Sequence, residues 1–188
     1  GQKVIVTGFA MGMSHTGGFA EYARVPADWI VPLPDNLSLK DAMVFGTAGF
    51  TAALSIMALE EKGMDLNKDP RILVTGSTGG VGSIAVQILS KIGYKNIAAL
   101  VRKENQIDVA KSLGATDVIF ADELGELNKP LNKQKFDFVL DTVGGEIASV
   151  VIPQISYGGS MSMCGNAGGI KLTSTVLPFI LRGINLLG

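Results

Sequence analysis

The strongest constraint on the fold is an apolar, strand-like run that enters a glycine-rich turn and opens directly into an amphipathic helix. The segment spans 71–89 and has the sequence RILVTGSTGGVGSIAVQIL. Gly79 lets a backbone approach phosphate groups, Gly82 lets the helix pack closely, and the N–H groups at the helix start attract negative charge. Ser77 stands at the first glycine position, so this is an S-x-G-x-x-G variant. The segment predicts a dinucleotide pyrophosphate site, and the alternative is a purely structural turn.

The end of the next predicted strand indicates which dinucleotide would bind. A second apolar run, 96–101, follows the helix and completes a strand–helix–strand unit. An NAD site usually carries Asp or Glu there, whereas this chain has Arg102 and Lys103. A guanidinium forms bidentate, charge-assisted hydrogen bonds with a 2′-phosphate. We therefore expect NADPH to be preferred over NADH; the alternative is that the two cations are only a solvated loop pair.

The rest of the chain alternates between strand and helix patterns. Strands are predicted at 71–75, 96–101, 117–120, 136–142 and 160–164, and helices at 49–61, 81–92, 105–113, 146–155 and 173–181. Such alternation is typical of an α/β fold with a parallel sheet wound on both faces. The segment before residue 35 differs, because it predicts short strands at 3–8, 17–25 and 29–34. Ser38 followed by Asp41 predicts a capped helix start.

Composition excludes several classes of protein. The 188 residues carry a formal net charge of −1, so no positive field favours nucleic acid. The single cysteine and single histidine exclude a disulfide framework and a zinc cluster. Gly, Pro or charged residues interrupt every apolar run before the roughly 20 residues of a membrane span, so no membrane partner is expected. The absence of a secretory signal pattern predicts a cytoplasmic location.

Seven motifs that follow one another along the chain carry a resemblance to a known family. They are HTGG followed by FAEYA at 15–23, VPLP at 31–34, GTAGFTA at 46–52, VTGSTGGVGS at 74–83, SLGA at 112–115, DTVGG at 141–145 and PFILR at 178–182. Together they resemble the zinc-free branch of the medium-chain dehydrogenase/reductase superfamily, in particular the quinone-oxidoreductase-like group that includes acryloyl-CoA reductases. The resemblance covers nearly the whole chain.

This resemblance implies a Rossmann doubly wound sheet preceded by the end of a GroES-like β-barrel domain. Residues 1–40 would be the C-terminal part of the catalytic barrel and its crossover, and residues 41–188 a C-terminally incomplete NADPH-binding domain. The chain is thus expected to be a piece of a longer protein, with its catalytic residues unassigned. The resemblance also implies a homodimer in which the last strands pair edge to edge near the tail 173–188.

Cofactor-binding residues follow from the same resemblance. The pyrophosphate would be held by Thr78, Gly79, Gly80 and Val81, and the adenosine ribose with its 2′-phosphate by Leu100, Val101 and Arg102. Residues expected around the nicotinamide end are Thr47, Val143, Gly144, Cys164, Asn166 and Ile180. No residue is implied as a metal ligand. Where relatives often have Ser-Gly-Arg, this chain has Leu100-Val-Arg102, which keeps the arginine and loses a hydroxyl donor.

Three reactive side chains have ordinary alternatives. Asp141 could be catalytic, but a strand-end aspartate more often binds neighbouring backbone. Cys164 lies in an apolar strand, where cysteine is typically a small buried hydrophobe. His15 has no acid at a diagnostic spacing, which favours a packing or loop role over a catalytic base.

Two functions remain open from the sequence. The first is an NADPH-dependent reductase that transfers hydride to an activated alkene, such as an enoyl-CoA or enone, or to a quinone, with a small-molecule substrate and no metal. The second is a non-catalytic NADPH-binding redox sensor or structural protein of the same fold, because a fold does not fix a function.

Overall fold

A computed structural model describes residues 1–127 and 129–188, which divide into two units, Gly1–Phe50 and Thr51–Gly188. These units meet within helix α1 (Leu39–Glu61), which is kinked at Gly46 because that glycine leaves the helical backbone conformation with φ +49°. A glycine reaches positive φ without the steric cost that other residues meet. The predicted domain boundary at residue 40 stays a prediction.

The first unit contains little regular structure besides the start of α1. Strand β1 (Val4–Ile5) pairs antiparallel with β2 (Val31–Pro32). Before α1, the backbone N–H of Asp41 donates to the hydroxyl of Ser38 at 3.0 Å, and that hydroxyl donates to the Asp41 carboxylate at 2.5 Å. The predicted cap is therefore confirmed.

The strand predicted at 17–25 was wrong, and those predicted at 3–8 and 29–34 shrink to two residues each. Alternating side chains favour a strand only where a neighbouring strand accepts its backbone hydrogen bonds. No strand pairs with 17–25 among the described residues, and the side chains of Phe19 and Tyr22 are fully or almost fully exposed.

The second unit is built on a six-stranded sheet with the order β5-β4-β3-β6-β7-β8, in which every neighbouring pair is parallel. The strands are β3 (Arg71–Val74), β4 (Asn96–Val101), β5 (Asp117–Phe120), β6 (Phe136–Asp141), β7 (Ile155–Met163) and β8 (Asn185–Leu187). The connecting helices are α2 (Gly80–Ile92), α3 (Ile107–Ser112), α4 (Gly145–Val151) and α5 (Leu177–Arg182). The strand order is that of the Rossmann fold.

Two cores form because successive strand residues point to opposite faces of the sheet. On one face, Ile72 and Val74 of β3 pack with buried residues of α1, α2 and α3. On the other face, Leu73 packs with residues of α4 and with Met161 of β7. Helices therefore cover both faces, and the predicted doubly wound α/β sheet is confirmed.

Two predicted boundaries were wrong around β7 and α5. Helix α4 ends at Val151, passes into a 3-10 turn at Ile152–Gln154, and β7 begins at Ile155, five residues before the predicted strand start at 160. Pro153 lies in that turn and lacks the N–H that a continuing helix needs. Helix α5 begins at Leu177 rather than at 173.

Helix α1 also corrects an expectation about apolar length. Among the described residues it is the one helix long and apolar enough, by length and composition, to cross a membrane. The sequence prediction that no run reached that length was wrong, because the glycines in this helix do not lower its mean hydropathy enough to outweigh its aliphatic residues. Its side chains Ala52, Ile56 and Leu59 are nevertheless buried in the core of the second unit.

Candidate cofactor-binding cleft

A cleft of about 660 Å³ opens beside the carboxyl ends of β3, β4 and β6. The chain reverses its direction of sheet growth between β3 and β6, and such a switch point is where Rossmann sheets bind ligands. The cleft is lined by Gly76, Thr78, Gly79, Gly80, Val81, Leu100, Val101, Arg102, Gln106, Ala121, Thr142, Val143, Ile147, Ala167 and Gly168. The predicted pyrophosphate and adenosine residues, together with Val143, are therefore all brought to one cavity.

The turn between β3 and α2 explains why the motif departs from strict glycine spacing. Gly76 has φ +57°, and a Cβ on it would overlap the hydroxyl of Thr142. The next residue, Ser77, is fully buried and donates its hydroxyl to the carbonyl of Leu100 at 2.9 Å. Gly76 thus makes the tight turn, while Ser77 ties that turn to the end of β4.

Helix α2 presents a free amino terminus to the cleft. Its N-cap is Gly79, which provides no side-chain hydrogen bond, and its first turn carries no acidic residue. The first N–H groups of a helix have no partner within the helix, and the helix dipole adds partial positive charge there. These features fit a diphosphate held by backbone amides.

The approach of α2 to the turn depends on Gly82. A Cβ on this residue would overlap the carbonyl oxygen of Gly76 and would lie 2.9 Å from the Cα of Ser77. The close packing predicted for Gly82 is therefore confirmed, but the helix is pressed against the turn after β3 and not against the strand itself.

Arg102 lies at the outer end of the cleft, where β4 ends. Its side chain is exposed, and it takes part in no ion pair within the described part of the chain. The adjoining side chain of Gln106 accepts hydrogen bonds from the backbone N–H groups of Arg102 and Lys103 at 2.9 and 3.1 Å. Sequence reasoning missed Gln106, although a glutamine three residues after a helix start is the second half of a capping box.

Asp141 organises the end of β6 and does not face the cleft. It is fully buried, accepts the hydroxyl proton of Thr75 at 2.6 Å, and accepts the backbone N–H groups of Gly144 and Val143 at 2.8 and 3.3 Å. Burial raises the pKa of this carboxyl, and the hydrogen bonds from Thr75, Gly144 and Val143 oppose that rise. The interpretation of Asp141 as a residue that binds neighbouring backbone is confirmed.

The wall of the cleft opposite α2 is made where the turn after β6 meets the loop after β7. The N–H of Gly168 donates to the carbonyl of Val143 at 2.7 Å. Gly144 has φ +66°, and a Cβ on it would lie 2.9 Å from the carbonyl oxygens of Gly165 and Gly169. The two segments therefore touch through backbone atoms, which brings Gly168 and its neighbour Ala167 to the cleft.

Several predicted nicotinamide-side residues do not line this cleft. Gly144 is packed against the neighbouring loop, Asn166 uses its carbonyl to accept the N–H of Gly169, and Ile180 is exposed on α5. Thr47 belongs to the first unit, where its hydroxyl lies 2.8 Å from that of Thr7. Roles for these residues in cofactor binding stay predictions.

Cys164 is likewise outside the cleft lining. Its thiol is half-buried and donates to the carbonyl of Asp141 at 3.4 Å. Burial raises the pKa of this thiol, a hydrogen bond with Ser55 opposes the rise, and the charge of Asp141 adds to it. A thiol with a raised pKa is a poor nucleophile, which supports the interpretation as a small packing residue.

His15 makes packing and loop contacts in the first unit. The ring of His15 packs edge-on against Trp29 with centroids 5.1 Å apart, and its Nδ1 lies 3.0 Å from the carbonyl oxygen of Thr16. Both contacts support the packing role.

Within residues 1–127 and 129–188, no three His, Cys, Asp or Glu residues come together in a group that could hold a metal ion.

Comparison with known proteins places these features in a family context. Residues 80–188 match the model of the family described as zinc-binding dehydrogenase. The chain is 50% identical over 190 residues to YhfP of Bacillus subtilis, named as a candidate quinone oxidoreductase. It is 46% identical over 189 residues to the acrylyl-CoA reductase AcuI of Ruegeria pomeroyi. In both comparisons the whole chain is covered, but only 57% of the relative.

Solved structures agree with the sequence comparisons. The YhdH oxidoreductase of Salmonella enterica, crystallised with NADP, has a TM-score of 0.95 and 47% identity to the chain. Bacillus subtilis YhfP, crystallised with NAD, has a TM-score of 0.93 and 50% identity. Each comparison covers all of this chain and 57% of the solved one.

Proposed function

The chain belongs to the zinc-binding dehydrogenase family, in the quinone-oxidoreductase-like and acryloyl-CoA reductase group of the medium-chain dehydrogenases/reductases. From this premise we propose that its protein is an NADPH-dependent, zinc-independent reductase. The substrate would be an activated alkene, such as an enoyl-CoA or an enone, or a quinone. Because the chain spans only about 57% of its curated relatives, the activity is proposed for the protein that contains it.

One observation carries the proposal. The cleft joins the uncapped start of α2 to Arg102 at the end of β4, and the described residues that line it include no carboxylate that would repel a 2′-phosphate. An anion site for the pyrophosphate and a cation for the 2′-phosphate therefore lie in the same cavity. The Salmonella enterica relative was crystallised with NADP, which agrees with this choice, whereas the Bacillus subtilis relative was crystallised with NAD.

The chain's own residues would bind and orient the cofactor. The backbone amides of Gly80 and Val81 would hold the pyrophosphate, since that of Gly79 donates to the carbonyl of Gly76 at 2.8 Å, and Arg102 would pair with the 2′-phosphate. The wall formed by Val143 and Gly168 would confine the cofactor on its other side. When bound, NADPH would supply the hydride from its nicotinamide ring. Fixing that ring against a substrate lowers the entropic part of the barrier.

We further propose a cytoplasmic protein that acts on a small molecule without a bound metal. The chain has a single histidine and a single cysteine, too few to supply the Cys and His ligands of a structural zinc site. The thiol of Cys164 donates a hydrogen bond to the carbonyl of Asp141, and Nδ1 of His15 lies 3.0 Å from the carbonyl oxygen of Thr16.

The test is oxidation of NADPH and NADH by the intact protein across a panel of enoyl-CoAs, enones and quinones. We expect turnover with at least one member and a preference for NADPH. Tight binding of NADPH without turnover of any member would instead favour a non-catalytic sensor. Elemental analysis of the same preparation should find no stoichiometric zinc, and a full equivalent whose removal abolishes turnover would contradict zinc independence.

A further inference from the structure

The side chain of Gln106 joins the two loops that frame the outer half of the cleft. Its Oε1 accepts the backbone N–H groups of Arg102 and Lys103, and its Nε2 donates to the hydroxyl of Thr78 at 2.8 Å. The orientation of the carboxamide follows from chemistry, because two N–H donors on one side require the oxygen there. The carboxamide therefore makes hydrogen bonds to both loops at once.

This arrangement determines what remains available to a ligand after β4. The backbone N–H groups of Arg102 and Lys103 already donate to Gln106, so they are not free to bind a phosphate. Both side chains are exposed, and neither takes part in an ion pair within the described part of the chain. Recognition of a 2′-phosphate would therefore fall to the side-chain cations, whose position depends on how the turn is held.

The other end of the carboxamide reaches the glycine-rich turn. Thr78 lines the cleft beside the start of α2, and it is 28 residues from Gln106 in the sequence. The hydrogen bond between them links the turn that would hold the pyrophosphate to the turn that carries Arg102. A side chain that makes hydrogen bonds at both ends limits the relative movement of the two turns.

We infer that Gln106 is a positioning residue for cofactor selectivity, which holds the turn after β4 so that Arg102 meets the adenosine 2′-phosphate. The inference rests on the proposed NADPH dependence. It predicts that Gln106 contributes to binding of the phosphorylated cofactor through Arg102, and contributes little to binding of NADH, which has no 2′-phosphate.

The experiment is titration of the intact protein with NADPH and with NADH, followed by calorimetry, for the wild type and for Gln106→Met. Methionine keeps the length of the side chain and removes its hydrogen bonds. We expect the Kd for NADPH to rise about tenfold and the Kd for NADH to change less than about twofold, as the loss of one positioned charge-assisted contact implies. Gln87→Met, on the exposed face of α2, is the matched control and should change neither Kd.

A second pair of variants separates positioning from a general structural role. In an Arg102→Ala background, Gln106→Met should change the NADPH to NADH ratio by less than about twofold, because the group it positions is gone. Equal weakening of both cofactors by Gln106→Met, or an undiminished effect in the Arg102→Ala background, would overturn the inference. A wild-type protein without NADPH preference would overturn the proposed cofactor as well, so the two failures are distinguishable.

Discussion

Arg102 is the residue through which the cleft would distinguish its two possible cofactors. The side chain has no competing carboxylate in an ion pair among the described residues, so its donors stay available for a ligand. Its backbone, by contrast, is held by Gln106. A flexible side chain on a fixed turn can reach a phosphate while losing less entropy than one on a mobile loop.

Replacement of Arg102 by alanine should remove a charge-assisted hydrogen bond of about 1.5–3 kcal/mol. We expect NADPH binding by the intact protein to weaken about ten- to a hundredfold, with NADH binding nearly unchanged. Calorimetry of both cofactors measures the effect. The charge-matched control is Lys95→Ala, because Lys95 precedes β4 and so lies at the amino end of that strand, away from the cleft. An unaltered ratio of NADPH to NADH affinity in Arg102→Ala would contradict the assignment.

Local motifs predicted Gly79 and Arg102, which lie in a turn and at a strand end that are continuous in sequence, whereas Thr78 followed from the family resemblance. Gln106 and Ala167 were missed for a different reason. Their roles arise from contacts between segments that lie far apart along the chain, such as the bond from Gln106 to Thr78. The hydroxyl of Ser77 likewise acquires its meaning only when β4 lies beside the turn.

At the level of elements, the start of α2 is packed tightly against the turn after β3. A short loop joins the end of β3 at Val74 to the start of α2 at Gly80. The backbone of Gly76 in that loop fills the space next to Gly82. Any side chain there would have to push the helix away from the turn. Because the N–H groups of that helix start face the cleft, packing and phosphate binding depend on the same contact.

Gly82→Ala should therefore lower both stability and cofactor affinity. We expect the free energy of unfolding of the intact protein to fall by about 1–3 kcal/mol, as overpacking against backbone typically costs. The Kd for NADPH and for NADH should rise together, because the pyrophosphate is common to both. Urea unfolding and calorimetry give the two numbers, with Gln87→Ala on the same helix as control. Unchanged stability together with unchanged binding would show that the turn yields without cost.

The elements themselves were predictable to different degrees. Strands β4 and β5 were predicted with their observed boundaries, because apolar runs in a parallel sheet end at sharp turns. The region 17–25 was misassigned because alternating side chains stabilise a strand only when a partner strand is present to pair with it. The early start of β7 was hidden by Ile152 and Ile155, which suit a helix and a strand equally well.

At the scale of the whole molecule, β8 is the edge of the sheet among the described residues. It pairs with β7 on one side only, and its three residues are partly buried. An open sheet edge offers unpaired backbone groups to another strand. We propose that two copies pair along this edge in a homodimer with two-fold symmetry.

Light scattering of the intact protein across a dilution series should report twice the mass of one chain. Hydrogen exchange offers a local check, since the amides of β8 should lose protection when the dimer dissociates, while those of the central strand β3 keep it. Leu186 is a poor site for a disrupting charge, because it packs against the core of its own chain. A monodisperse monomer at high concentration would contradict the dimer.

The contact between the turn at 142–145 and the loop at 165–169 has a consequence for how this cleft can vary. The two segments meet mainly through main-chain atoms, since the N–H of Gly168 donates to the carbonyl of Val143 and Gly144 lies against the carbonyl oxygens of Gly165 and Gly169. The position of this wall is therefore set largely by peptide geometry. Exchanging Ala167 for another residue would change the polarity of the cleft surface and leave this main-chain contact in place.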